Sequence, residues 1–260
     1  MEKLMMKKLA TICLAVLGIA INAEAKLLSY YGFEGNGNDT AADYGINSGT
    51  STDNANVNGS MSYTEGQVGQ AANFSSGRFF VNNSSDTNLK VSDSFTMEMW
   101  INPSSLPQWQ RLVVQQNPTQ WWSYHFAIEG SQIQLGLGTT TGHLGMAGGT
   151  VVAGQWQHIA ATCDGTTASI YLNGVVVGAM SVAGRVESNT SASMGIGYSA
   201  VDGWHPYLGL MDELAIWDEA LTTDTLLSHY NAGSVGYVPE PATICMLGLG
   251  GLLLRRRKSA

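Results

Sequence analysis

Trp156-Gln157-His158-Ile159-Ala160-Ala161-Thr162-Cys163-Asp164-Gly165 and, two residues later, Ala168-Ser169-Ile170-Tyr171-Leu172-Asn173-Gly174-Val175-Val176-Val177-Gly178 make three short runs of β character. Asp-Gly and Asn-Gly separate them, and these dipeptides accept the positive φ that a type I′ hairpin turn demands at both central positions. In the middle run Ile170 and Leu172 point one way, Ser169 and Tyr171 the other, which is the period of a half-buried strand. A three-stranded meander cannot bury its apolar face alone. A second sheet must cover it, so the stretch predicts a sandwich built around this unit.

The flanks carry the same rhythm. Phe95, Met97, Met99 and Ile101 alternate with Thr96, Glu98 and Trp100 before Pro103 ends the run. Upstream, Leu27–Glu34 reads as a strand leading into the Gly/Asn loop 35–43, and a turn-rich tract continues to about Ser62. Further strands are expected over Ala71–Phe74, Gly77–Val81, Arg111–Gln115, His125–Ile128, Gln132–Leu137, Met194–Tyr198 and Tyr207–Trp217. Thr222–Asn231 is the one helix expected inside the domain, with a Thr cap, Asp224 in its first turn and Gly233 beyond its end. The fold class is therefore all-β: a two-sheet antiparallel sandwich or jelly roll with one short C-terminal helix.

Charge excludes a class of partners. Lys3, Lys7 and Lys8 lie at the N-terminus and Arg255, Arg256, Arg257 and Lys258 at the C-terminus, so residues 26–254 hold 5 basic and 18 acidic side chains, a net −13. Such a surface repels phosphate backbones, and nucleic-acid binding is excluded. Of three cysteines only Cys163 lies outside the two terminal apolar runs, so no disulfide forms within the domain.

Residues 1–25 read as a signal peptide: basic start, apolar run Leu9–Ile21, and small residues Ala23 and Ala25 at the −3 and −1 positions of a cleavage before Lys26. At the other end Pro239, Glu240 and Pro241 precede an apolar run from Ala242 to Leu254 and then Arg255, Arg256 and Arg257. As a helix that run is roughly 20 Å long, short for a ~30 Å hydrocarbon core, and the arginines snorkel to complete it. The basic cluster stays cytoplasmic and leaves the domain outside. The chain thus divides into a signal peptide (1–25), a jelly-roll domain (26–234) and a sorting and anchor segment (235–260) with a separate membrane helix.

Two resemblances follow from these residues. Tyr30-Tyr31-Gly32-Phe33-Glu34, Ala71-Ala72-Asn73-Phe74, Phe95–Ile101, Gly154–Thr162, Ile170–Gly174 and Leu208–Trp217, in that order, resemble the motifs of laminin-G-like, concanavalin A-like jelly-roll domains. That fold hosts lectins, adhesive modules and glycosidases alike. The C-terminal segment resembles a PEP-CTERM sorting tail, which implies processing near Pro-Glu-Pro by an exosortase-type membrane protease in a Gram-negative bacterium making extracellular polysaccharide.

The resemblance also implies a structural calcium near the ends of the first and last strands. Glu34 and Asp212 are the candidate ligands, with Asp43 a weaker third and Glu213 expected on the opposite face from Asp212; hard oxygen ligands and net negative charge suit calcium. The alternative is that these are solvated turn and surface carboxylates. For sugar binding, Trp109, Trp121, Trp122, Tyr124, Trp204, His205 and Tyr207 fall in or beside predicted loops, where a ring can offer its face to a pyranose; the alternative is that they cap the sandwich core. Trp100, Trp156 and Trp217 are assigned to structure. A glycosidase needs two carboxyls about 5–10 Å apart in a groove. Asp212-Glu213 and Asp218-Glu219 are adjacent and so diverge, Glu98 stands alone, and His158 reads as a packed strand residue. The expected function is a non-catalytic module of the envelope or extracellular matrix that binds polysaccharide. The alternatives are a polysaccharide-active glycoside hydrolase or lyase, and a protein-binding adhesin.

Overall fold

The computed structural model describes residues 25–41, 53–82, 89, 91, 93–116, 122–187, 192–199 and 204–234. In chain order the strands are β1 (Leu27–Tyr31), β2 (Asn56–Gly59), β3 (Ser62–Glu65), β4 (Gln70–Asn73), β5 (Gly77–Val81), β6 (Ser94–Pro103), β7 (Trp109–Gln116) and β8 (Trp122–Glu129). They continue with β9 (Gln132–Thr139), β10 (Gly142–Gly148), β11 (Gln157–Asp164), β12 (Thr167–Leu172), β13 (Val175–Ser181), β14 (Met194–Ile196) and β15 (Gly209–Trp217), and the helix α1 (Thr223–Ala232) follows. The first sheet has eight strands, ordered β13-β12-β11-β6-β15-β4-β3 with β1 also on β15; the second has seven, ordered β10-β9-β8-β7-β14-β5-β2. Every pairing between these strands is antiparallel, which makes the jelly-roll sandwich expected from the meander.

The meander is β11-β12-β13, at one edge of the first sheet. Asn173 and Gly174 both have positive φ (53° and 75°), the type I′ pattern. The Asp-Gly turn differs from expectation. Asp164 still belongs to β11, and only Gly165 has positive φ (88°), so the two-residue turn is Gly165-Thr166 in the II′ manner. Asp164 instead accepts N–H bonds from Thr166 and Thr167 (2.8 and 2.7 Å) and closes the turn from its first corner.

The core lies between the sheets. Phe95, Met97, Met99 and Ile101 of β6 join Ile159 and Ile170 from the first sheet and Phe126, Leu135 and Leu137 from the second, all fully buried. Sequence reading missed β2, β3 and β10. Their Asn-, Ser- and Gly-rich segments have low strand propensity, and each sits at a sheet edge where half its backbone bonds are enough.

The outer face of the first sheet is covered. Thr96, Glu98 and Trp100, the other side of β6's alternation, each seize part of the chain that ends in α1. Thr96 Oγ1 donates to Glu219 O and accepts from Leu221 N (2.7 and 2.8 Å), and Trp100 stacks on Tyr230 at 5.6 Å. The helix starts on Thr222, whose side chain accepts the Thr225 N–H, and ends on Gly233 in the left-handed conformation. No described helix or strand lies over the outer face of the second sheet.

Candidate functional site

On that open face, strand alternation would turn Trp109, Arg111, His125 and Glu129 outward from β7 and β8 while Tyr124, Phe126 and Ile128 fill the core. A register shift between Gln115 and Gln116 breaks the alternation at Ser123. Trp122 thereby lands beside His125, ring centroids 4.4 Å apart and edge to face, instead of following Tyr124 inward. The next strands supply a floor. Gly136 pairs with both His125 and Gly145, and Gly138 with His143. A Cβ on Gly136 would collide with the His125 ring, so only glycine at that position leaves room for the imidazole over β9. Burial first, and Arg111 second, lower the His125 pKa to about 3, which makes the ring neutral.

The result is a continuous ridge. The Arg111 guanidinium sits 5.3 Å from the Trp109 ring centre and 5.7 Å from that of Trp122, within cation–π range of both. His143 lies 5.7 Å from Trp122 at one end; His205 lies 6.2 Å from Trp109 at the other and meets Trp204 at 5.9 Å. Trp204 is 66% exposed. The loop that presents it is strapped down: Arg111 N–H donates to His205 O (2.8 Å), Leu208 N–H to Gln110 Oε1 (2.8 Å) and Tyr207 N–H to Gly197 O (2.8 Å). His205 is itself held at φ 55°, a conformation uncommon for a residue other than glycine.

The predicted sugar residues therefore separate. Trp122, Trp204 and His205 come together on the ridge, joined by Trp109 and by Arg111, which sequence reading had placed only in a strand. The signal for Arg111 was its spacing, since positions 109 and 111 share a strand face. Tyr124 and Tyr207 do not reach it. Both are fully buried in the core, with hydroxyls donating to Leu89 O (3.3 Å) and Leu210 O (2.8 Å), so the expectation of a sugar-facing role gives way to a packing one. Trp121 lies outside the described residues.

The acidic candidates meet at a gap in the first sheet. One side of β15 pairs with β4 at Leu210 and Met211 and with β1 from Leu214 onward. Asp212 and Glu213 fall between the two neighbours, where the register with β6 also shifts and Glu213 has φ 55°. Simple alternation thus fails here. Asp212 Oδ2 accepts from Gln67 N and Val68 N (2.8 and 2.9 Å), Glu34 Oε2 accepts from Gln70 N in the same turn (3.1 Å), and Glu213 Oε1 accepts from the Tyr30 hydroxyl. Tyr30, Glu34, Asn36, Asn38, Val68 and Glu213 line a cavity of about 200 Å³. Burial, with a smaller contribution from Glu34, raises the Asp212 pKa to about 7, and Asp212 Oδ1 is buried with no hydrogen-bond partner. Asp43 lies outside the described residues, and among these no group of three or more His, Cys, Asp or Glu side chains is placed to hold a metal.

Glu98 does not stand alone. Its carboxylate, completely buried beneath α1, accepts from Trp217 Nε1 (2.7 Å) and lies within bonding distance of His158 Nε2 (3.2 Å) and His229 Nδ1 (3.0 Å). Burial alone would raise its pKa, but the two imidazoles outweigh it and hold the carboxyl at about 2. This cluster joins β6, β11, β15 and α1. It assigns Trp217 and His158 to architecture, as Trp100 is by its stacking.

Ala25 begins the described residues; Ala23, Pro239, Glu240, Pro241, Arg255, Arg256, Arg257 and the apolar run 242–254 lie outside them. Among the described residues no helix is long and apolar enough to cross a membrane. Residues 238–258 nevertheless match the PEP-CTERM protein-sorting motif. No curated protein matches the chain. Among solved structures, domain 4 of the extracellular arabinanase AbnA from Geobacillus stearothermophilus, in complex with arabinotriose, is 23% identical with a TM-score of 0.63, over 79% of this chain and 98% of that one. The binding domain of Paraclostridial Mosquitocidal Protein 1 (15%, TM-score 0.61, 80% of this chain) and the ligand binding domain of botulinum neurotoxin serotype D, in complex with N-acetylneuraminic acid (12%, 0.60, 80%), share the fold as well. This chain spans about half of each of those two, 52% and 51%. The family model for the concanavalin A-like lectin/glucanases superfamily matches residues 75–226, more than half of the sequence, and the chain belongs to that superfamily.

Proposed function

We propose that this protein is an exported polysaccharide-binding module that does no chemistry on its ligand. The ridge carries the reading: two indoles flank a guanidinium, a third indole stands out into solvent, and imidazoles occur along the line. Ring faces stack on pyranoses while flanking donors orient hydroxyls. The arabinotriose and N-acetylneuraminic acid complexes of its fold neighbours support a sugar ligand. The sorting motif supports delivery to the envelope or extracellular matrix of a Gram-negative bacterium. On this reading residues 1–25 are a signal peptide, 26–234 the binding domain, and 235–260 a transient inner-membrane anchor cut near Pro239-Glu240-Pro241 by an exosortase-type protease. A polysaccharide panel tests it: binding without turnover, weakened by Trp204→Ala or Trp122→Ala, is the expected result, and no binding across the panel overturns it.

The rival, a glycoside hydrolase or lyase, has one observation of its own, since Glu34 and Glu213 line the same cavity. Both carboxylates are occupied, however, Glu213 by Tyr30 and Glu34 by a backbone N–H. Turnover of any polymer that is lost in Glu213→Gln would establish the enzyme.

A structural calcium belongs to the proposal too. The orphaned Oδ1 of Asp212 suits a hard cation, with Glu34 beside it and Asp43 as the third carboxylate. A cation there would neutralise a carboxylate that burial disfavours and tie β15 to the segments beside it. Calcium is expected to raise the melting temperature relative to EGTA; an unchanged value counts against the site.

A further inference from the structure

We propose that the ridge selects polysaccharides bearing carboxylates, that is, uronic-acid polymers, with Arg111 as the group that reads the acid. The inference rests on the polysaccharide reading above and narrows it. Its first support is the way charge is divided between the sheets. Strands of the first sheet carry five acids (Glu65, Glu98, Asp164, Asp212 and Glu213) and no Lys or Arg. Strands of the second carry Arg78, Arg111 and a single acid, Glu129. In a body of net −13, the strands of the second sheet are the ones on which basic side chains outnumber acids. A polyanion meets repulsion from the rest of the domain and attraction here.

The second support is how Arg111 is held. The guanidinium carbon lies 5.3 and 5.7 Å from the centres of the Trp109 and Trp122 rings, so two indoles flank it. A guanidinium flanked in this way has fewer rotamers open to it, and its planar fork of N–H groups is the shape that pairs two-pronged with a carboxylate. Rings and acid reader are also arranged in the order a chain ligand needs. Trp204 at the exposed end offers its face to one pyranose, Arg111 lies between the next two rings, and beyond Trp122 the chain can continue past His143, where Gly145 carries no side chain. Neutral sugars use the indoles equally well; the guanidinium adds a term that only an acid can collect.

The test pairs each acid polymer with its own neutral version. The full-length chain, held in detergent micelles, is titrated with polygalacturonate and alginate and with the same polymers after reduction of their carboxyls to primary alcohols. Acid forms are expected to bind about tenfold or more tightly than reduced forms, as a charge-assisted hydrogen-bond pair would give. Arg111→Gln should collapse the difference to roughly threefold or less, whereas Trp204→Ala should weaken both forms alike. The acid-versus-reduced comparison leaves the protein untouched, so it decides even if the Arg111 variant does not fold. Equal affinity for acid and reduced forms, both lost in Trp204→Ala, overturns the carboxylate reading and leaves polysaccharide binding standing. An acid preference that survives in a folded Arg111→Gln protein overturns the role of Arg111. Binding to no polymer, acid or neutral, removes this inference and the reading beneath it together.

Discussion

The outer faces of the two sheets use the same residue types to opposite ends. Under α1, Glu98 gathers His158, His229 and the Trp217 N–H around its carboxylate, with the Trp100 ring packed beside them, all shut from water. On the second sheet Trp109, Arg111, Trp122, His143, Trp204 and His205 stack in a line that ends in solvent. A Trp/His-rich cluster is therefore not a binding signal in itself. What separates the two, among the described residues, is that α1 lies over one cluster and no helix or strand over the other.

Changes on either side test that contrast. The largest effect is expected from Glu98→Ala, which strands two imidazoles and an indole N–H in a sealed site; urea unfolding should show a loss of about 3–5 kcal/mol, with sugar affinity of the folded protein unchanged. An affinity loss as large as the stability loss would mean that the two faces are coupled. Next comes Asp212→Asn. In EGTA at pH 8 it is expected to stabilise the protein by on the order of 2 kcal/mol, because it removes a buried charge and still accepts from Gln67 and Val68.

The two carboxyls also give pH dependences of opposite sign. Asp212, raised to about 7 when folded, contributes stability that is complete below its unfolded value and fades as pH rises through 7. Glu98, held at about 2, contributes stability that is complete above its unfolded value and fades as pH falls through the folded one. Urea midpoints between pH 3 and 8 for the wild type and Asp212→Asn separate them: the variant should lose the decline that runs from about pH 4 up to about 7 and keep the acid limb. The smallest effect on stability belongs to Trp204→Ala, within about 0.5 kcal/mol, although polysaccharide affinity should drop about tenfold. A large fall in melting temperature would move Trp204 into the architectural class.

These contrasts also mark what could be read from the sequence. The meander, the alternation of β6 and the capped helix are local patterns, visible within a few residues of one another, and they survive in the structure with only the Asp164-Gly165 turn reassigned. The Glu98 cluster was hidden because its partners lie 60 and 131 positions away along the chain. Trp122 was a candidate for its residue type, yet the irregularity at Ser123 is what brings it outward, and no composition or period announces that. Tyr124 and Tyr207 had the same appearance and went inside, because a Tyr ring whose hydroxyl finds a backbone carbonyl can be buried whole. Arg111 went unremarked because a lone arginine in a strand is usually a solvated one.

Strand β15 ties together segments from the whole chain. It pairs along one side with β6 and along the other with β4 and then β1, so residues 27–31 find their lateral partner only in residues 214–217. A polypeptide emerging N-terminus first must therefore hold its opening strand unpaired until nearly the last of the domain has appeared. Such long-range closure belongs to the slow end of single-domain assembly, milliseconds to seconds. Delivery through a narrow translocation channel would suit this connectivity, since the body cannot lock shut while its last segment is still inside.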